Sequence, residues 1–156
     1  MDSLYSIRPA TADDIDLIVE QRKAMFQDMD VDEMGIHAQE KPFRDWLSWQ
    51  FKAGSYLGWF AVRGEDIAGG AGLWIHEWLP GPLAPEGIRG YICNVYTHPD
   101  HRHHGLAHTL VQTCVDEARQ RGLIVVALHA SEAGRPIYLS MGFGVTAELR
   151  LLLKDD

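Results

Sequence analysis

The pattern of the chain predicts an α/β protein of the α+β type, a single domain in which a mixed sheet carries helices on both faces. Three observations predict it. The 156 residues are the size of one ordinary domain, and 46% hydrophobic with 23% charged residues is the balance of a chain that buries a core. Three consecutive runs rich in aromatic and β-branched residues lie between 56 and 97, parted by turn sequences. After them, a helical stripe is followed by a continuous apolar run of strand length, the order of a crossover connection.

Leu4 to Arg8 reads as a short strand ended by Pro9. Thr11 then supplies a hydroxyl N-cap, and Asp13 and Asp14 place acids at the positive end of a helix dipole. Ile15, Ile18, Val19, Met25, Phe26 and Met29 follow at helical spacing. A second helix is expected around Phe43, Trp46, Leu47 and Phe51, with Pro42 in its first turn. Tyr56 to Arg63, the turn Gly64-Glu65-Asp66 and Ile67 to Trp78 form a hairpin pattern, in which Gly69, Gly70 and Gly72 signal a bulge or a close backbone approach. The Pro- and Gly-rich stretch from Leu79 to Gly87 is a loop, and Ile88 to Thr97 is a third long strand. Leu106, Leu110, Val111, Cys114 and Ala118 mark one face of a helix from about Gly105 to Arg121, capped by Gly122. Leu123 to Leu128 is a strand covered on both faces, Ile137 to Met141 a short helix, and Phe143 to Leu153 a last strand. Residues 1–156 thus form one domain without repeat or linker.

Charge and composition narrow the function. A net charge of −8 disfavours a nucleic-acid partner, because phosphate backbones are held by basic surfaces. No run approaches the ~20 apolar residues that cross a bilayer, and the opening MDSLYSIRPATADD lacks the pattern of a secretory signal. Cys93 and Cys114 sit in apolar runs rather than in a spaced framework, which fits a reducing cytoplasm. Nine acids against Arg22 and Lys23 lie between Asp13 and Glu40. This is a solvated face, or else an acidic rim around Asp28, Asp30, Asp32 and Glu33 that draws in a cationic substrate.

Chemistry concentrates where a strand ending Asn94-Val95-Tyr96-Thr97 turns through His98-Pro99 into Arg102-His103-His104-Gly105-Leu106-Ala107 and a helix. A helix N-terminus offers unpaired N–H groups and a positive dipole end, Gly105 and Ala107 leave the backbone accessible, and Arg102 adds charge. That is a phosphate-binding arrangement.

Arg102-x-x-Gly105-x-Ala107 resembles the Q/R-x-x-G-x-G/A signature of the GNAT superfamily of acyltransferases. Downstream, the run from Ser131 to Phe143 is similar to that family's N-x-x-A-x-x-L-Y-x-x-x-G-F block, and the element order matches over nearly the whole chain. The resemblance implies a single domain with six to seven strands and about four helices, transferring an acetyl group from acetyl-CoA to an amine within a ternary complex. It implies that backbone at Val95, Tyr96 and Thr97 meets the pantetheine arm, that Arg102, His103, His104, Gly105, Leu106 and Ala107 wrap the pyrophosphate, with Ser131 a further cofactor contact, and that Tyr138 protonates the departing thiolate. Ser131 and Gly134 depart from the block's Asn and Ala, and Pro136 places the helix start near itself rather than at Ser131.

An ammonium must lose a proton before it attacks a thioester. Glu77, Glu86 and His129 are candidates for that base, His129 first because it closes a cleft-lining strand; the plainer role is a satisfied strand-end histidine. Phe26, Met29, Trp74 and Trp78 are candidate walls of the acceptor pocket, although such aromatics also serve as core. His98, His101, His103, His104 and His108 raise a rival metal-binding reading, but no cysteine or carboxylate set completes it apart from Asp100, so no metal is expected. A non-catalytic acyl-CoA sensor is the other alternative, and Tyr138 disfavours it. The expected partners are acetyl-CoA and an amine, with a homodimer as the expected assembly.

Overall fold

The computed structural model describes residues 2–154. Its sheet has five strands in the order β1-β2-β3-β4-β5: β1 Ser6–Pro9, β2 Tyr56–Arg63, β3 Asp66–Glu77, β4 Ile88–Thr97 and β5 Val126–Leu128. The first four are antiparallel and β5 runs parallel to β4. The helices are α1 Ile15–Asp28, α2 Glu33–Ala53, α3 Leu106–Gln120 and α4 Arg135–Ser140. The mixed single-domain architecture is the expected one, with one strand fewer than the residue pattern predicts.

The missing strand is the last. Phe143 to Leu153 forms no hydrogen-bonded strand, and the last of its backbone bonds joins Phe143 N–H to the Tyr138 carbonyl. Its alternation is that of a strand, with Val145, Ala147, Leu149, Leu151 and Leu153 on one side, yet Leu149 is 95% and Leu153 90% exposed. Alternation states which side chains share a face; pairing needs an edge in register, which local pattern does not supply.

A second difference lies in α2, which begins ten residues before the expected start and carries Pro42 inside it. Proline removes one helix N–H and frees the carbonyl four residues back. Here both Pro42 and Ala38 are exposed, so water can serve that carbonyl.

Each face of the sheet buries its own cluster. Leu73 and Ile92 meet Leu106, Leu110, Val111, Cys114 and Ala118, the predicted stripe of α3, together with Tyr138 of α4. On the opposite face, Tyr56 and Phe60 meet Ile18 of α1 and Leu47 of α2. Fully burying one such leucine is worth about 1.5–3 kcal/mol, so the α3 stripe anchors that helix by packing far more than by propensity.

The glycine-rich strand does what its sequence suggests. Two residues of β4, Asn94 and Val95, stand opposite the single Ala71 of β3, between the pairs Gly72↔Cys93 and Gly70↔Tyr96. Asn94 takes φ +56° in this bulge. A Cβ on Gly72 would stand 2.1 Å from the hydroxyl of Tyr56, so the glycine makes room for that buried ring.

Candidate active site

β4 and β5 pair only from Gly90↔Val126 to Ile92↔Leu128. Beyond Ile92 the strands part, and from Cys93 to Thr97 the β5-facing edge of β4 is open where the bulge turns its backbone. A cleft of about 1340 Å³ opens at Cys93 and runs along β5; Val95, Tyr96, Thr97, the turn from Arg102 to Ala107 and Ser131 are not among its lining residues. Tyr91, Cys93, Trp74 and Trp78 line it from the sheet, Arg22, Phe43 and Trp46 from α1 and α2, and His129 and Tyr138 from the far side. The opening follows from topology: a parallel β5 follows a helical crossover, and its three residues cannot track a ten-residue partner.

Tyr138 lies on α4, buried at 7% exposure but reaching the cleft. Burial, and secondarily the Cys114 thiol, pushes its phenol above the ordinary range, so it holds its proton at neutral pH. Helix α4 starts at Arg135 beside Pro136, the start that the proline predicts, and Ser131 Oγ accepts the Gly134 N–H at 3.1 Å to brace the turn before it. A Cβ on Gly134 would lie 2.9 Å from the Tyr138 ring, so the departure from the block's alanine gives this ring its place.

The turn into α3 has the backbone its chemistry needs. His103 at φ +67° and Gly105 at +73° turn it left-handed, and no side chain caps the helix. Among the described residues no protein acceptor takes the N–H groups of Gly105, Leu106 or Ala107, so the residues present fit a bound pyrophosphate. Leu106 sends its side chain into the core and presents only backbone. Arg102 donates from Nε to the Thr97 carbonyl (3.1 Å) and pairs with Asp28 at 2.6 Å, which ties the turn to the end of α1. His104 stands against Tyr5 with Nδ1 3.7 Å from Asp2, and His101 Nδ1 lies 3.0 Å from the Tyr5 hydroxyl. His104 is therefore engaged with the N-terminal segment, while His103 is exposed. Among the described residues, no group of three or more His, Cys, Asp or Glu side chains gathers as a metal site.

His129 is in the cleft with both ring nitrogens occupied: Nδ1 meets the Tyr91 hydroxyl, and Nε2 faces an Arg150 amino group at 3.2 Å. Arginine can only donate, so Nε2 accepts and Nδ1–H points to Tyr91. Glu77 and Glu86 are exposed and line no part of the cleft. Of the candidate acceptor walls, Trp74 and Trp78 line it, whereas Phe26 packs beneath Arg22 and Met29 is 48% exposed at the end of α1. The acids at the end of α1 also turn elsewhere, Asp28 to Arg102 and Glu33 to Gln27.

The chain belongs to the acetyltransferase (GNAT) family, whose model matches residues 23–143. A GCN5-related N-acetyltransferase from Ralstonia eutropha is 37% identical, covers 96% of this chain and 98% of its own, and superposes with a TM-score of 0.92. A predicted acetyltransferase with acetyl-CoA from Clostridium acetobutylicum is 28% identical over 95% of both chains, with a TM-score of 0.86. Glucosamine-6-phosphate N-acetyltransferase from Arabidopsis thaliana, 17% identical with 97% of this chain and 99% of that one covered, shares the fold at a TM-score of 0.68. Among curated proteins, none matches the chain significantly.

Sequence reasoning missed Arg22, Tyr91 and Arg89 as cleft residues. Arg22 sits in a run of acids that reads as solvated helix, and only the approach of α1 to β4 turns it inward.

Proposed function

We propose that the protein is an N-acetyltransferase that moves an acetyl group from acetyl-CoA directly to a primary amine of a small molecule or peptide. The observation that carries this is the Tyr138 hydroxyl, kept protonated by burial at the cleft where β4 and β5 part. Acetyl-CoA, when bound, supplies the activated acyl group; the chain's part is to hold and protonate. The open edge at Val95, Tyr96 and Thr97 offers backbone donors and acceptors to an amide-bearing arm, and the turn from Arg102 to Ala107 offers its N–H groups to phosphate. Tyr138 gives its proton to the sulfur as the C–S bond breaks. The Tyr91–His129 pair is the proton acceptor for the incoming amine, available once Arg150 leaves Nε2. Burial pushes the Cys93 thiol up to about 12 and the Cys114 thiol higher still, which favours direct transfer over an acyl-cysteine.

We further infer that the protein works in the cytoplasm as a homodimer. Supporting the dimer, β5 has an outer edge unpaired among the described residues and the same chain carries an exposed strand-patterned segment, each able to complete the other across two copies. Release of CoA thiol in the presence of a panel of amino acids, polyamines, aminoglycosides and peptides tests the activity. Acetyl-CoA binding without transfer to any amine would instead mark a sensor.

A further inference from the structure

On the α1–α2 side of the cleft lies a cation that has no counter-ion among the described residues. Arg22 lies between the rings of Phe26 and Phe43, its guanidinium carbon 4.7 and 4.3 Å from their centroids. Its Nε donates to Gln39 Oε1 at 3.0 Å and one amino group donates to Asn94 Oδ1 at 2.7 Å. Asn94 is buried in the β4 bulge and is fixed in turn by donating to the Tyr56 hydroxyl at 3.1 Å. Both partners are neutral. Among the described residues no carboxylate pairs with Arg22, although six other Arg or Lys side chains pair with acids elsewhere. Burial lowers the Arg22 pKa, and only thiol and phenol groups oppose that.

A guanidinium has five N–H donors, and the two bonds named leave three. Two aromatic faces hold its plane rigid, which aims the free donors instead of letting them rotate into water. The rest of the cleft shares the sign. Arg89 lines it with a buried Nε that has no hydrogen-bond partner, its guanidinium 4.6 Å from the Trp78 ring. Arg119, Arg135 and Arg150 complete five arginines against one lining carboxylate, Glu148, in a protein whose net charge is −8. A half-buried guanidinium whose hydrogen-bond partners among the described residues are all neutral is matched by a ligand of opposite sign.

We propose that the acceptor amine also carries a carboxylate, as an amino acid does, and that the Arg22 fork binds this carboxylate. This rests on the N-acetyltransferase reading and replaces an acceptor with a second positive charge by one that carries a negative group beside its amine. A planar carboxylate accepts two parallel N–H bonds from such a fork, and the aromatic walls Trp46 and Trp74 take the body of the molecule. Arg22 is a substrate-binding residue; the reacting centre belongs to Tyr138 and the β4 bulge.

The test is steady-state transfer at saturating acetyl-CoA to matched sets of an amino acid, its carboxamide and its decarboxylated amine. The wild type is expected to favour the carboxylate by at least ~10-fold in kcat/KM, the scale of a hydrogen bond to a charged group. In Arg22→Gln that ratio should collapse towards one, chiefly through KM. Arg22→Lys keeps the charge without the fork and should retain part of the preference. Transfer to amides and plain amines as efficient as to carboxylates overturns the carboxylate subsite and leaves the acetyltransferase reading standing. No transfer to any amine removes both. A wild-type ratio in Arg22→Gln shows that Arg22 is not the group that reads the carboxylate, and a wild-type ratio in Arg22→Lys overturns the fork.

Discussion

Replacing Tyr138 by Phe separates chemistry from architecture at a single atom. The ring is 7% exposed and packs with Phe143 and the α3 core, so the phenyl group must stay. The hydroxyl makes no hydrogen bond to another described residue, so its removal breaks none within the protein. Stability should therefore change by less than ~0.5 kcal/mol, as for substitutions that create neither cavity nor orphaned partner. Loss of a general acid, by contrast, costs ~10²–10⁴ in rate, or about 3–5 kcal/mol in the transition state. Single-turnover acetyl transfer beside calorimetric acetyl-CoA binding measures both, and the expected result is unchanged affinity with turnover lower by at least ~100-fold. The pH profile adds a second arm. Only the protonated phenol can give a proton, and burial raises its pKa, so the wild-type rate should show no alkaline loss from this group until above the ordinary phenolic value of 10. Turnover within a few-fold of wild type in Tyr138→Phe would refute the acid role and leave Tyr138 as packing.

Four further outcomes are expected. Gly72→Ala sets a Cβ 2.1 Å from the Tyr56 hydroxyl, so thermal unfolding should fall by the ~1–3 kcal/mol of an overpacked core, with Asn94 disturbed through the same hydroxyl. Gly105→Glu forces a side chain onto φ +73° and an acid onto the uncapped end of α3, and calorimetry should show acetyl-CoA binding lost from a folded protein. The Asp14 carboxyl is held below the usual range first by its hydrogen bond from Arg8, so its contribution is present above pH ~4 and lost as pH falls through the folded value. Asp14→Asn should destabilise at pH 6 by less than ~1 kcal/mol, Arg8 being partly exposed, and denaturant curves should show this gap narrowing as pH falls below ~4. Leu149→Asp with Leu151→Asp should turn a dimer in sedimentation into a monomer of unchanged helical content; a wild type that already sediments as a monomer refutes strand exchange.

What the sequence determined by itself is whatever depends on near neighbours along the chain. The α3 stripe, the hairpin, the start of α4 at Pro136 and the turn into α3 are all local patterns, and the structure places each near where its residues put it. Gly69, Gly70 and Gly72 announced a bulge because only a missing side chain lets backbone and Tyr56 approach so closely. The family was legible for the same reason, since two local motifs, one leading into α3 and one running through α4, encode a turn and the place of the Tyr138 ring. Tertiary structure alone decided the rest. Arg22 lies 72 residues from Asn94, and its place in a run of acids pointed to solvent until α1 packed over β4. Of the four acids that offered a rim, Asp28 is taken up by Arg102 and Glu33 by Gln27, neighbours that no spacing reveals, while Asp30 and Asp32 stay exposed. Phe143 to Leu153 has the period of a strand, but a strand is a relation between two backbones. In one chain the β5 edge stays open and those leucines stay exposed.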